Sequence, residues 1–156
     1  MQSSQFLREA TRVEFQAEEL YSEMGNAFFD TPFLRDTFRR LASEERQHAM
    51  RLGLLERQQV VLPWTPVTLA RKGAELREMS RAMDALRQQL ALSSTRRDPY
   101  AMLRTLSELE GRFTSSHAEE VAADADPRLR ETFATMARQD AEHARLLGKL
   151  RIRRAA

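Results

Sequence analysis

Phe6, Ala10, Val13, Ala17, Tyr21, Met24 and Phe28 recur at intervals of three and four. That is the spacing of one helix face, and it predicts a helix over residues 4–29. Thr31 as N-cap and Pro32 at the first helical position open a second helix, 32–58. Its inner face carries Leu34, Phe38, Leu41, Leu52 and Leu55. The stretch VVLPWTPV, Val60 to Val67, holds two prolines and the only tryptophan, and reads as a break with Trp64 anchoring it. Residues 74–92 then form a separate amphipathic helix, with Leu76, Met79, Met83, Leu86 and Leu90 on one stripe. After a second break, SSTRRDPY, Asp98 and Pro99 open a helix to about Ala123, on Leu103, Leu106, Phe113 and Val121. Asp126 and Pro127 open the last, to about Ile152, on Leu129, Phe133, Met136 and Leu147.

The second and last helices are copies of each other. Sliding Pro32–Leu55 by 95 positions onto Pro127–Leu150 aligns 11 identities in 24 positions without a gap. They are Pro32, Leu34, Arg35, Thr37, Phe38, Ala42, His48, Ala49, Leu52, Gly53 and Leu55. Glu45 falls on Asp140 and Leu41 on Met136. With one residue of adjustment in the loop, Glu14 falls on Glu110, Ala17 on Phe113 and Tyr21 on His117. The repeating unit is a helical hairpin used twice. The expected fold is all-α, a ferritin-like four-helix bundle of two repeated hairpins with a long crossover carrying an additional helix. It is expected as one domain over 1–156, with hairpins at 4–58 and 99–152 and the crossover at 59–98. The Met79, Met83, Leu86 stripe either covers the bundle or joins a partner chain.

Composition narrows the chemistry. Hydrophobic residues at 42% of 156 positions suffice for one real core. Five Gly and five Pro argue against a turn-rich all-β chain. There is no cysteine, which excludes disulfides, thiolate zinc sites and iron–sulfur clusters on this chain. The opening MQSSQFLREATRVE has no apolar signal core, and no run approaches a membrane span, so a cytoplasmic protein without membrane contact is expected. The net charge is +2, and basic and acidic residues alternate along helices without forming a block. That patterning argues against nucleic acid as a partner.

Carboxylates stand on the apolar faces. Glu14 lies within the run Ala10, Val13, Ala17, Tyr21, and Glu110 lies between Leu106 and Phe113. A lone buried carboxylate costs several kcal/mol or stays protonated. Two at repeat-equivalent positions point to a shared purpose. Glu45 precedes His48 by three residues, as Asp140 precedes His143, so each pair shares a helix face. Glu14 precedes Glu45 by 31 residues and Glu110 precedes Asp140 by 30, so an antiparallel return brings each set to a similar height. One Glu from each of two helices and an acid-x-x-His pair from each of the others is the ligand pattern of ferritin-like di-iron and di-manganese proteins. Four carboxylates balance two divalent ions, which removes most of the penalty of burying the charge. Oxygen and imidazole donors suit iron or manganese. Glu45 and Asp140 are assigned as bridging, and Glu14 and Glu110 as more terminal. Glu44 and Glu142 are read as surface residues. Tyr21 either hydrogen-bonds a ligand or fills the core. His117 is assigned beside the site, not as a seventh ligand.

Glu14, Ala17 and Tyr21 in E-x-x-A-x-x-x-Y, then Asp/Thr-Pro-x-Leu and A-x-E-E-x-x-H-A, resemble the rubrerythrin-like branch of the ferritin-like superfamily. The resemblance spans both hairpins. It implies two iron ions reacting with peroxide or dioxygen, usually in a dimer or larger homo-oligomer. The chain also departs from the family pattern. Asp140 replaces a Glu, and Phe113 stands where rubrerythrins proper carry an additional Glu. His117 replaces an aromatic, and the cysteine-rich electron-delivery module is missing from this sequence. An external electron-donor protein is therefore expected. Three functions follow from these residues. The first is a di-iron oxidoreductase for peroxide or dioxygen. The second is a ferroxidase for iron storage or delivery. The third is a metal-free helical binding or structural module.

Overall fold

The computed structural model describes residues 1–92, 99–118 and 126–152, and every regular element within them is a helix. These are α1 (Ser3–Ala27), α2 (Pro32–Arg57), α3 (Pro66–Leu90), α4 (Pro99–Ala118) and α5 (Pro127–Ile152). The all-helical class expected of a ferritin-like bundle is what the chain adopts. The chain divides into two compact units, Met1–Ser94 and Thr95–Ala156. Among the described residues no helix is long and apolar enough to cross a membrane.

In the first unit, α1 and α2 form an antiparallel hairpin. Ion pairs fix its direction, since Arg8 meets Glu56 at 3.1 Å while Glu18 meets Arg46 at 3.1 Å. Partner numbers fall along α2 as they rise along α1. Phe6, Val13, Ala17, Tyr21 and Met24 are buried on α1, and Phe38, Leu41, Leu52 and Leu55 on α2, as the periodicity predicts. Pro32 opens α2 behind Thr31, whose side chain makes no capping bond. Its far end closes on Gln59, at φ 55°, where Val60 N donates to Leu55 O at 3.1 Å. That left-handed closure normally recruits glycine.

The third helix corrects one boundary. It begins at Pro66, not at residue 74. Thr65 is its N-cap, accepting from Thr68 N at 3.2 Å, and Pro66 occupies the first turn. Proline there sets the backbone for a helix and forfeits only an N–H that would be unbonded anyway. The second proline of VVLPWTPV is thus a start and not a break. Leu76, Met79, Met83, Leu86 and Leu90 are all buried, and α3 packs on α1. Polar contacts hold the register: Gln16 Nε2 donates to Ser80 O at 3.0 Å and to Asp84 Oδ1 at 2.7 Å. Ser80 Oγ donates back to Gln16 Oε1 at 2.7 Å. Trp64 anchors the connection as expected, edge-on to Phe6 with centroids 5.4 Å apart. The buried Lys72 Nζ lies 4.5 Å from its ring centroid.

The second unit is the α4–α5 hairpin. Leu103, Leu106 and Phe113 are buried on α4, with Leu129, Phe133, Met136 and Leu147 on α5. Ser107 Oγ donates across the pair to Ala144 O at 3.0 Å. Asp126 caps α5, accepting from Arg128 N at 2.9 Å. The expected Asp98 cap and the expected end of α4 near Ala123, with Val121, lie outside the described residues.

Candidate metal centre

Glu14 stands mid-way along α1, on the face that Ala10, Val13, Ala17 and Tyr21 make apolar. Glu45 and His48 stand one turn apart on the inner face of α2. The antiparallel pairing brings the three together. Glu14 and Glu45 are each 1% exposed and His48 is 0% exposed. His48 Nδ1 lies 3.1 Å from Glu45 Oε2 and 3.8 Å from Glu14 Oε2. One donor atom from each residue falls within 4.8 Å of the others, close enough to hold a single metal ion.

The electrostatics of this trio favour a cation. Burial opposes a charge on His48, but the facing carboxylates of Glu14 and Glu45 outweigh it and push its pKa up to about 12. The imidazolium thus neutralises carboxylates that water cannot reach. A divalent ion bound by the same atoms would do so with more charge, displacing the imidazole proton. Two carboxylates and an imidazole are the donor chemistry of iron and manganese sites, so these residues fit such an ion.

In the second unit Glu110, Asp140 and His143 are each 1% exposed. His143 Nδ1 lies 3.4 Å from Glu110 Oε2. Asp140 is buried one turn before His143 on α5, yet Glu110, Asp140 and His143 do not form a three-donor group among the described residues. All such groups draw only on residues singled out by the sequence pattern.

The flanking residues fall as follows. Tyr21 is buried two turns beyond Glu14, its ring stacked on Phe38 with centroids 6.2 Å apart. Glu44 pairs with Arg40 at 2.8 Å, and Glu142 is exposed. The side chain of His117 lies outside the described residues. Lys72 is the buried charge that the sequence pattern does not single out. Its place beside Leu69 and Leu76 was the available signal.

The rubrerythrin family model matches residues 5–109, which include Glu14, Tyr21, Glu45 and His48 and stop one residue short of Glu110. No curated protein and no solved structure matches the chain. The family match covers more than half of the 156 residues, and its span includes the buried Glu14, Glu45 and His48; the chain belongs to the rubrerythrin family.

Proposed function

We propose that this protein is a non-haem di-iron oxidoreductase that reduces peroxide or dioxygen, built as a single ferritin-like domain. The observation that carries the proposal is the buried trio of Glu14, Glu45 and His48, with donor atoms within 4.8 Å of one another. Glu14 on one helix and Glu45 with His48 on the next would hold one ion. Glu110 and His143, paired at 3.4 Å, would contribute to holding the second. Iron is the metal the family favours, and manganese is the alternative that the same donors accept.

When bound, two ferrous ions supply the two electrons that, with two protons, reduce peroxide to two waters. The chain's own part is to bind, orient and exclude. Helix backbones fix the carboxylates and imidazoles one turn apart. Val13 and Ala17, within one turn of Glu14 on α1, and Leu41, one turn before Glu45 on α2, are all buried and would limit access of water. An external donor protein would return the electrons. A homodimer or larger assembly in the cytoplasm completes the proposal.

A second reading, ferroxidase action in iron storage or delivery, is favoured by Phe113. It is a buried apolar residue where rubrerythrins proper carry an additional carboxylate. A hollow assembly of many chains by size-exclusion mass supports that reading, and a small oligomer supports the oxidoreductase.

The decisive measurement is metal content by mass spectrometry after growth with iron, for the parent, Glu45→Ala and Glu110→Ala proteins. The proposal expects about two ions per chain, lost in both variants. A parent protein without metal overturns it and leaves a metal-free helical module.

A further inference from the structure

The outer face of α1 behind Glu14 is basic. Arg12 precedes Glu14 by two residues, about 200° round the helix, so it stands on the opposite side at nearly the same height. It is exposed and lines a groove with Arg8 of α1 and Arg77 of α3. Arg8 Nη2 meets Glu56 at 3.1 Å, and Arg77 Nη1 meets Glu9 at 3.4 Å. Each of these pairs engages one guanidinium nitrogen. On the α2 side, Arg57 reaches back over Gly53 toward Thr11 of α1. Arg12 and Arg57 have no ion pair among the described residues. Phe15, one turn beyond Arg12, adds an aromatic ring that is 39% exposed. Arginine and aromatic side chains are the residue types that protein interfaces favour.

We infer that this groove is where the electron carrier docks, and that the carrier is a small protein presenting an acidic face. The inference rests on the oxidoreductase reading above and names the partner which that reading needs. Exposed guanidinium forks match carboxylates in shape and charge, which sets the sign of the carrier's face. A carrier seated on Arg12 is separated from Glu14 by the width of one helix, about 10–12 Å with side chains. Electron transfer asks for closeness and not for an open channel, so the buried Glu14, Glu45 and His48 are served without admitting water. Each encounter oxidises one carrier and reduces one ferric ion, and two encounters return the two electrons that one peroxide takes. Electron-transfer complexes bury less than about 1,200 Å2, so a groove of a few side chains is large enough.

The test is fluorescence titration of the full-length chain, freed of metal by chelator, with two labelled carriers of opposite charge: an acidic plant-type ferredoxin and a basic cytochrome c. Ferredoxin binds at low salt and loses about tenfold or more in affinity between about 50 and 200 mM salt, while cytochrome c binds at least about tenfold more weakly. Arg12→Glu weakens ferredoxin binding by about tenfold or more and Arg12→Gln by about threefold, so the milder variant carries the test if the reversal does not fold. Arg39 is exposed beside Gly25, at the turn end of the hairpin, and Arg39→Glu changes the affinity by less than about twofold. In the iron-loaded protein, bleaching of the ferric absorption by reduced ferredoxin slows in step with the loss of binding. A chain that binds no ferredoxin, binds both carriers equally, or loses as much with Arg39→Glu as with Arg12→Glu overturns the docking face and leaves the two-metal reading intact. A single-stranded oligonucleotide that binds more tightly than ferredoxin, and is released by Arg12→Glu, marks a nucleic-acid surface and overturns it too. A parent protein without metal overturns the oxidoreductase reading and this inference together.

Discussion

His48 Nδ1 lies 3.1 Å from Glu45 Oε2, one turn away on the same helix, and both side chains are buried. In the metal-free protein the imidazole keeps its proton to about pH 12, because Glu14 and Glu45 outweigh the cost of burial. In the unfolded chain the same group loses its proton near pH 6.5. The folded-state value is raised, so its stabilisation is full below pH 6.5 and is lost as pH rises toward 12. Thermal unfolding of the metal-free protein should therefore show a Tm that falls from pH 7 to pH 10. The slope is at most about 1.4 kcal/mol per pH unit from this group. His48→Gln should flatten the slope.

Metal loading follows from the same pair with the opposite pH dependence. A ligating imidazole must be neutral, so each ion taken up at Glu14, Glu45 and His48 expels the His48 proton. Calorimetry in buffers of different ionisation enthalpy should report about one proton released at pH 7 for each ion bound at Glu14, Glu45 and His48. Apparent affinity should rise with pH over the same range.

Removing the metal should cost stability in proportion to its occupancy. At a free ion concentration about a hundredfold above Kd, binding to the native state alone adds about 2.7 kcal/mol. For a chain of this length that is a Tm shift of roughly 5–10 °C. Differential scanning with and without chelator should show it. The shift should largely vanish in Glu14→Gln, which keeps the side-chain shape but removes a charged donor.

The sequence was most informative where burial alone decides the outcome. The inner faces of α1 and α2 are legible because each buried residue repeats at helical spacing, and Glu14 and Glu45 stand out as charges within those stripes. The repeat made Glu110 and His143 legible by comparison with Glu14 and His48. Features decided by local backbone detail were harder to read. Pro66 reads equally as a breaker or as a first-turn residue, and only Thr65 accepting from Thr68 N settles that α3 starts there. Gln59 carries no mark of the left-handed conformation that ends α2. Asp140 was visible as a departure from the repeat; it is buried as its alignment with Glu45 implies, yet it is not in a three-donor group among the described residues.

The clasp between α1 and α3 should be measurable as a coupled unit. Gln16 bonds Ser80 O, Asp84 and the Ser80 hydroxyl. Gln16→Ala should cost about 1–3 kcal/mol, because it strips the part-buried Ser80 of its partner. Ser80→Ala alone should cost less. A double-mutant cycle by chemical denaturation should give a coupling of about 0.5 kcal/mol or more, and strict additivity would show that α3 is held by its apolar face alone.

Gln59 offers a stabilising change at a site remote from Glu14, Glu45 and His48 in sequence and outside the metal-holding groups. Its φ of 55° places an L side chain in the left-handed region, where the Cβ crowds the following carbonyl at a cost of about 1–2 kcal/mol. Glycine has no Cβ to crowd, but it loses more freedom on folding, which offsets about half of that gain. Val60 N to Leu55 O and Gln59 N to Glu56 O are backbone bonds that the substitution leaves in place. Gln59→Gly should therefore stabilise the protein by about 0.5–1 kcal/mol, with an unchanged denaturant slope and unchanged metal content. Gln59→Val should destabilise it, because a β-branched side chain is poorly tolerated at positive φ. If both variants unfold at the parent's denaturant midpoint, the closure of α2 at Gln59 carries no strain.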